Sequence, residues 1–217
     1  MRQGLERHLD PRWVRWGGLL AVVSSVLFSI ALVSRHFLFL NFMVREAMRF
    51  PFMVLHIMAL VAGIGLLIAL IAFFAHQAHR MGRLGLTSVV LMLAGWTMLA
   101  GVFWFLAFGV PTVARLEPES AILTKEPFAT AEIISLALAG LGLALFAVAS
   151  WRARVFPRWA VALLLAGDLI WGVWSAIDPF GFPVGYLALS AGLAAMGAAL
   201  WLSAPAPRVS ETPRLAV

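Results

Sequence analysis

The 217 residues are 63% hydrophobic and only 12% charged, with a mean hydropathy of +0.97, an apolar share that excludes an ordinary water-soluble domain. The net charge of +6 does not mark a nucleic-acid binder, because the basic residues fall mainly between long apolar runs, where they set topology. There is no cysteine, which excludes thiol catalysis, disulfides, iron–sulfur clusters and cysteine-based zinc sites.

In lipid every backbone polar group must be satisfied internally, so repeated long apolar runs without alternation predict an α-helical bundle rather than a barrel. The expected fold is all-α, a polytopic transmembrane bundle of six spans with both termini cytoplasmic. Residues 1–16 read as a cytoplasmic juxtamembrane segment, with Trp13 and Trp16 as an aromatic belt. No small-x-small cleavage site follows the first apolar run, which disfavours a signal peptide. Residues 17–203 form the transmembrane domain and the Pro-rich residues 204–217 a disordered cytoplasmic tail.

Span 1, about Gly17 to Leu40, carries Ser25, Ser29 and His36 on one helical face, and Arg35 can snorkel to the outer interface. Residues 41–51 make a short external connection. Span 2 follows in PFMVLHIMALVAGIGLLIALIAFFAHQAHRMGR, Pro51 to Arg83. Between Phe52 and Ala75 only His56 is ionisable, and that stretch makes about 36 Å of helix, enough for a hydrocarbon core of about 30 Å. The cluster His76, His79, Arg80 and Arg83 places its far end in the cytoplasm. His76 and His79 sit beside arginines, which favours anionic lipid headgroups over metal.

Span 3, Leu84 to Val110, is expected to close at Pro111. The external loop from Pro111 to about Ala129 holds Glu117, Glu119 and Glu126 against Arg115 and Lys125, a candidate lid or partner surface. Span 4, Thr130 to Ser150, begins with Glu132, and the turn WRARVFPRW returns three arginines, Arg152, Arg154 and Arg158, to the cytoplasm. Span 5, Trp159 to Ile177, has Asp168 near its centre. After the turn DPFGFP, span 6 runs from Val184 to Ser203, with Ala191, Ala195 and Ala199 as a close-packing face.

Two hairpins echo each other. LVAGIGLLIAL, Leu60 to Leu70, leads through a basic turn to LMLAGW, ending at Trp96; LALAGLGLALF, Leu136 to Phe146, leads through a basic turn to LLLAGD, ending at Asp168. A parallel repeat of hairpins 2–3 and 4–5 would put Asp168 in the place of Trp96. Coincidence among helices rich in Leu, Ala and Gly is the other reading.

A carboxylate near the bilayer midplane costs about 2.5–3.5 kcal/mol on the insertion scale, so Asp168 should face protein or water. Trp171 and Ser175 follow on its side, with Thr97 and Ser29 at comparable depth. The group reads either as a proton or cation site or as a structural carboxyl hydrogen-bonded across the bundle. His36 and His56 fall near the outer ends of adjacent spans and could ligate a b-type haem. With Glu132 they could instead make a two-histidine, one-carboxylate metal site. Local hydrogen bonding of both imidazoles is the simpler alternative. No G-x-S-x-G, H-E-x-x-H or Walker motif occurs, which argues against soluble-type catalysis.

The chain resembles a broad group of uncharacterised small multi-pass bacterial integral membrane proteins. The resemblance rests on RWGGLLAVVSSVLFSIAL, on LHIMALVAGIGLLIALIAFFAHQAHRMGRLGL followed by WFLAFGVP, and on RVFPRWAVALLLAGD. It implies a six-span architecture in a bacterial inner membrane and no particular reaction. Similar proteins tend to have an acidic residue near WFLAFGVP, where this chain has Leu106 or its neighbours. The expected function is a non-enzymatic accessory subunit of a membrane complex or a binder of a lipophilic ligand. The alternatives are a b-type cytochrome using His36 and His56, or a small proton-coupled transporter using Asp168. Expected partners are membrane lipid, other membrane subunits or further copies of the chain, and not nucleic acid.

Overall fold

The computed structural model describes residues 11–38, 49–116, 128–173 and 181–203. They are almost entirely helical, with no strand among them. In order they form α1 (Pro11–Leu38), α2 (Phe50–Trp104), a π-helical turn (Phe105–Gly109), α3 (Val110–Leu116), α4 (Phe128–Ala153), α5 (Arg158–Gly172) and α6 (Gly181–Ser203).

Four stretches are long and apolar enough to cross a membrane: Arg12–Leu38, Phe50–Leu116, Phe128–Ala153 and Gly181–Ser203. The second has 67 residues and would be about 100 Å long if straight. It is not straight. Gly82 has φ 60° and ψ −153°, a region open essentially to glycine alone, and it divides α2 into a first arm, 50–81, and a second, 83–104. The arms fold back on each other. A Cβ on Gly63 would lie 3.8 Å from the Trp96 ring, whereas a straight helix would hold these residues about 50 Å apart.

Helix α1 packs on α2 and α6, α2 on α4, α4 on α5, and α5 on α6. The elements thus close into a ring around a common interior. Its seams are built where side chains are small. A Cβ on Gly95 would overlap the Ala139 backbone, and one on Gly142 the Met92 backbone, so the second arm of α2 and α4 approach almost backbone to backbone. Gly167 against Leu189 and Gly192 against Leu164 repeat the pattern between α5 and α6. At one end of the bundle the Arg15 guanidinium lies 4.2 Å from the Trp201 ring centre, and Trp16 meets Trp201 edge-on at 5.6 Å. These contacts join the start of α1 to the end of α6.

Several boundaries differ from expectation. The helix does not stop at Pro111 but runs to Leu116. Proline cannot donate to the carbonyl four residues back, and the wider π turn just before it absorbs the mismatch, with the Val110 N–H donating to the Phe105 carbonyl. The Thr112 hydroxyl donates to the Phe108 carbonyl at 2.9 Å. Within the bundle α6 packs through Gly192, Met196 and Gly197, with Ala195 and Ala199 partly buried beside them, while Ala191 is exposed, the side open to another subunit. Helix α5 has 15 residues, about 22 Å against the roughly 30 Å of a hydrocarbon core. Residues 174–177 of the expected span 5 lie outside the described residues, as do 1–10, most of the loop at 111–129, and the tail.

Candidate functional site

The ring borders a partly open cavity of about 540 Å³. Its inner end is apolar and aromatic. Phe28 from α1, Trp96 from α2, Leu143 from α4 and Leu189 from α6 line it, and each is buried. The Phe28 and Trp96 rings meet at 5.5 Å and Phe28 meets Phe103 edge-on at 6.0 Å. These side chains point inward because each shares its helix with the small residues of the seams, which bring the backbones together and leave bulk to fill the middle.

The other end is polar. Arg35 and His36 from α1 and Glu132 from α4 line the same cavity, all three half-buried. From Glu132 to Leu143 the wall of α4 rises about 16 Å, so the cavity is long, with charges at one end and rings at the other. Tyr186 and Trp171 form part of the wall between. Their rings lie 5.7 Å apart, tilted by 40°. Arg35 and Glu132 both lie within electrostatic reach of Tyr186.

The two histidines part company. His36 lines the cavity, with its ring 6.2 Å from Phe182. His56 is fully buried outside that lining. Its Nδ1–H donates to the Phe52 carbonyl at 2.7 Å and its ring lies against that of Phe52, centres 4.1 Å apart and tilted by 39°. The cavity therefore offers a haem one imidazole rather than two. Among the described residues no three His, Asp or Glu side chains gather closely enough to hold a metal ion, so the set His36, His56 and Glu132 is not assembled. His56 keeps Nε2 buried without a hydrogen-bond partner among the described residues, but it lies outside the cavity lining that holds His36 and Glu132.

Asp168 is 6% exposed, and its Oδ1 has no hydrogen-bond partner among the described residues. It does not line the cavity but packs at the α4–α5 seam, where a Cβ on Gly140 would lie 3.5 Å from Oδ1. The residues expected around it scatter. Thr97 faces outward and is exposed, because Trp96 takes the inward position beside it. Ser29 is half-buried on α1, with Ser24 and Ser25 buried deeper. Ser175 lies outside the described residues.

The polar groups that meet in the cavity include ones the sequence reading passed over. Arg35 was expected to reach out to an interface and instead lines the cavity. Tyr186 is the chain's single tyrosine, and a lone phenol in an apolar helix is itself a signal, since buried hydroxyls need partners. Trp96 carried another signal, as the partner of Asp168 in the hairpin echo.

Comparison with protein-family models, with curated proteins and with solved structures found no match to this chain.

Proposed function

We propose that this chain is a non-enzymatic integral protein of a bacterial inner membrane that binds a lipophilic ligand inside its helical ring. The observation that carries this reading is the cavity. Its volume, about 540 Å³, falls within the range of small-molecule sites, and a mostly apolar lining with a few convergent polar groups is the usual makeup of such sites. Five helical elements contribute walls, and the closely packed glycine seams between them keep the space from collapsing.

Six passes with both termini cytoplasmic accompany this function. The fold-back of α2 at Gly82 supports counting it twice. Arg80 and Arg83 at that turn, and Arg152, Arg154 and Arg158 at the next, support a cytoplasmic position for both. A repeat of hairpins is supported by matched contacts: Gly63 meets Trp96 as Gly140 meets Asp168. In sequence these are equivalent positions of AGIG and AGLG, and of LMLAGW and LLLAGD.

The test is purification from native membranes in mild detergent, followed by solvent extraction and mass spectrometry. A lipophile at about one copy per chain is expected, with loss of that molecule when the cavity is filled by Leu136→Trp. A folded chain with no bound lipophile, or with one that Leu136→Trp leaves in place, sinks the reading.

A further inference from the structure

We infer that the cavity selects a zwitterionic amphiphile, an anionic group held by Arg35, an ammonium group held by Glu132, and a single apolar chain lying along the aromatic inner end. The inference rests on the reading of the cavity as a ligand site and names the ligand class.

A guanidinium and a carboxylate line one end of a space whose remainder is apolar. Both side chains are half-buried beside apolar walls, where a charge gains from a partner of opposite sign. The two arise on α1 and α4, which are not neighbours in the ring, and Tyr186 lies within electrostatic reach of both. A purely anionic head would meet Arg35 but place its charge near Glu132. A cationic head would meet Glu132 but face Arg35. A neutral head would leave both charges without a charged partner from the ligand. Only a head carrying both signs complements both side chains, with charge-assisted hydrogen bonds to each.

The rest of the cavity fits a chain rather than a compact ring system. It extends about 16 Å along α4 from Glu132 to Leu143, and Phe28, Trp96, Phe103, Leu143 and Leu189 border it. Among the described residues of the lining, Arg35, His36 and Glu132 are the charged or imidazole groups open to a head group, and the Tyr186 phenol stands beside them as a neutral hydrogen-bonding group.

The experiment measures binding to the detergent-purified full chain by native mass spectrometry with four probes sharing one acyl or alkyl chain. These are lysophosphatidylethanolamine (zwitterionic), lysophosphatidylglycerol (anionic), a long-chain alkylamine (cationic) and a monoacylglycerol (neutral). One-to-one binding is expected, with the zwitterion favoured about tenfold or more over each of the others. Glu132→Gln should abolish the preference over the anionic probe, and Arg35→Gln the preference over the amine. Equal affinity for all four heads, or preference for a head of one sign, overturns the zwitterion inference and leaves the cavity reading standing. Failure of every probe to bind one to one overturns both. The head-group series on the unaltered protein decides the matter if either variant fails to fold.

Discussion

Gly140 on α4 sits against Asp168 on α5 so closely that a Cβ at Gly140 would lie 3.5 Å from the carboxylate Oδ1. Gly63 and Trp96 stand in the same relation on the two arms of α2, at 3.8 Å. Where one seam buries an indole, the other buries an acid. The indole borders the cavity and the acid does not. This separates Asp168 from the cavity and frames it as a buried carboxyl whose cost is borne by the packing around it.

That cost is measurable. Asp168 has a buried oxygen without a hydrogen-bond partner among the described residues, and an aspartate at a helix centre costs about 2.5–3.5 kcal/mol in insertion whereas leucine gains a few tenths. Asp168→Leu is therefore expected to stabilise the purified protein by about 1–3 kcal/mol, read as increased resistance to unfolding in detergent. Binding in the cavity should be unaffected. Destabilisation by both Asp168→Leu and Asp168→Asn would mean that the carboxylate makes a structural hydrogen bond.

The helical class and the rough positions of the helices were legible because lipid as solvent leaves few choices, and long runs such as Phe52–Ala75 state their length directly. The reach past Pro111 was not legible. Pattern rules treat proline as a stop, whereas a π turn lets this helix carry it. The cavity was hidden for a different reason. Its lining comes from five elements, and no periodicity along one helix reveals that Arg35 and Glu132 border one space. His36 and His56 match by face and distance from the span ends, but that match does not reveal which imidazole borders the cavity, and only His36 does.

The glycine seams predict a sharp contrast within one helix. Gly95→Ala would drive a methyl group into the Ala139 backbone, which cannot yield as a side-chain tip can. A loss of about 1–3 kcal/mol is expected. Gly101, two turns on, has nothing within 4 Å of a built Cβ, so Gly101→Ala should leave stability unchanged or raise it by up to about 1 kcal/mol. Unfolding midpoints of the two variants in one detergent test the contrast, and equal effects would refute the proposed backbone contact.

The two basic turns contain the two positive-φ residues among those described, and they should respond in opposite directions. Gly82 is exposed, with nothing near its missing Cβ, so the effect of Gly82→Ala comes from backbone strain alone, about 1–3 kcal/mol of destabilisation. Arg154 holds φ 54° after α4 while its N–H donates to the Ser150 carbonyl at 3.1 Å, a left-handed helix cap where glycine is preferred. Arg154→Gly is expected to stabilise by about 1 kcal/mol. The measurement is again the unfolding midpoint, with Arg152 and Arg158 retained so that the turn keeps its charge.

Gln77 on the first arm of α2 donates to the Ser150 hydroxyl on α4 at 2.8 Å, and both side chains are fully buried. Gln77 lies just before the turn at Gly82 and Ser150 just before the turn at Arg154, so the bond ties the fold-back of α2 to the neighbouring hairpin. Interhelical hydrogen bonds in membrane proteins average about 0.6 kcal/mol and reach about 1.7 kcal/mol, because the unfolded chain in lipid also finds partners. A double-mutant cycle of Gln77→Leu and Ser150→Ala should return a coupling energy in that range. The single changes should be unequal. Ser150→Ala strands a buried amide whose Oε1 already lacks a partner among the described residues, whereas Gln77→Leu removes the amide altogether and leaves only a hydroxyl to satisfy. Ser150→Ala is therefore the more damaging change, and a cycle with no coupling would show that the two side chains do not meet in the folded protein.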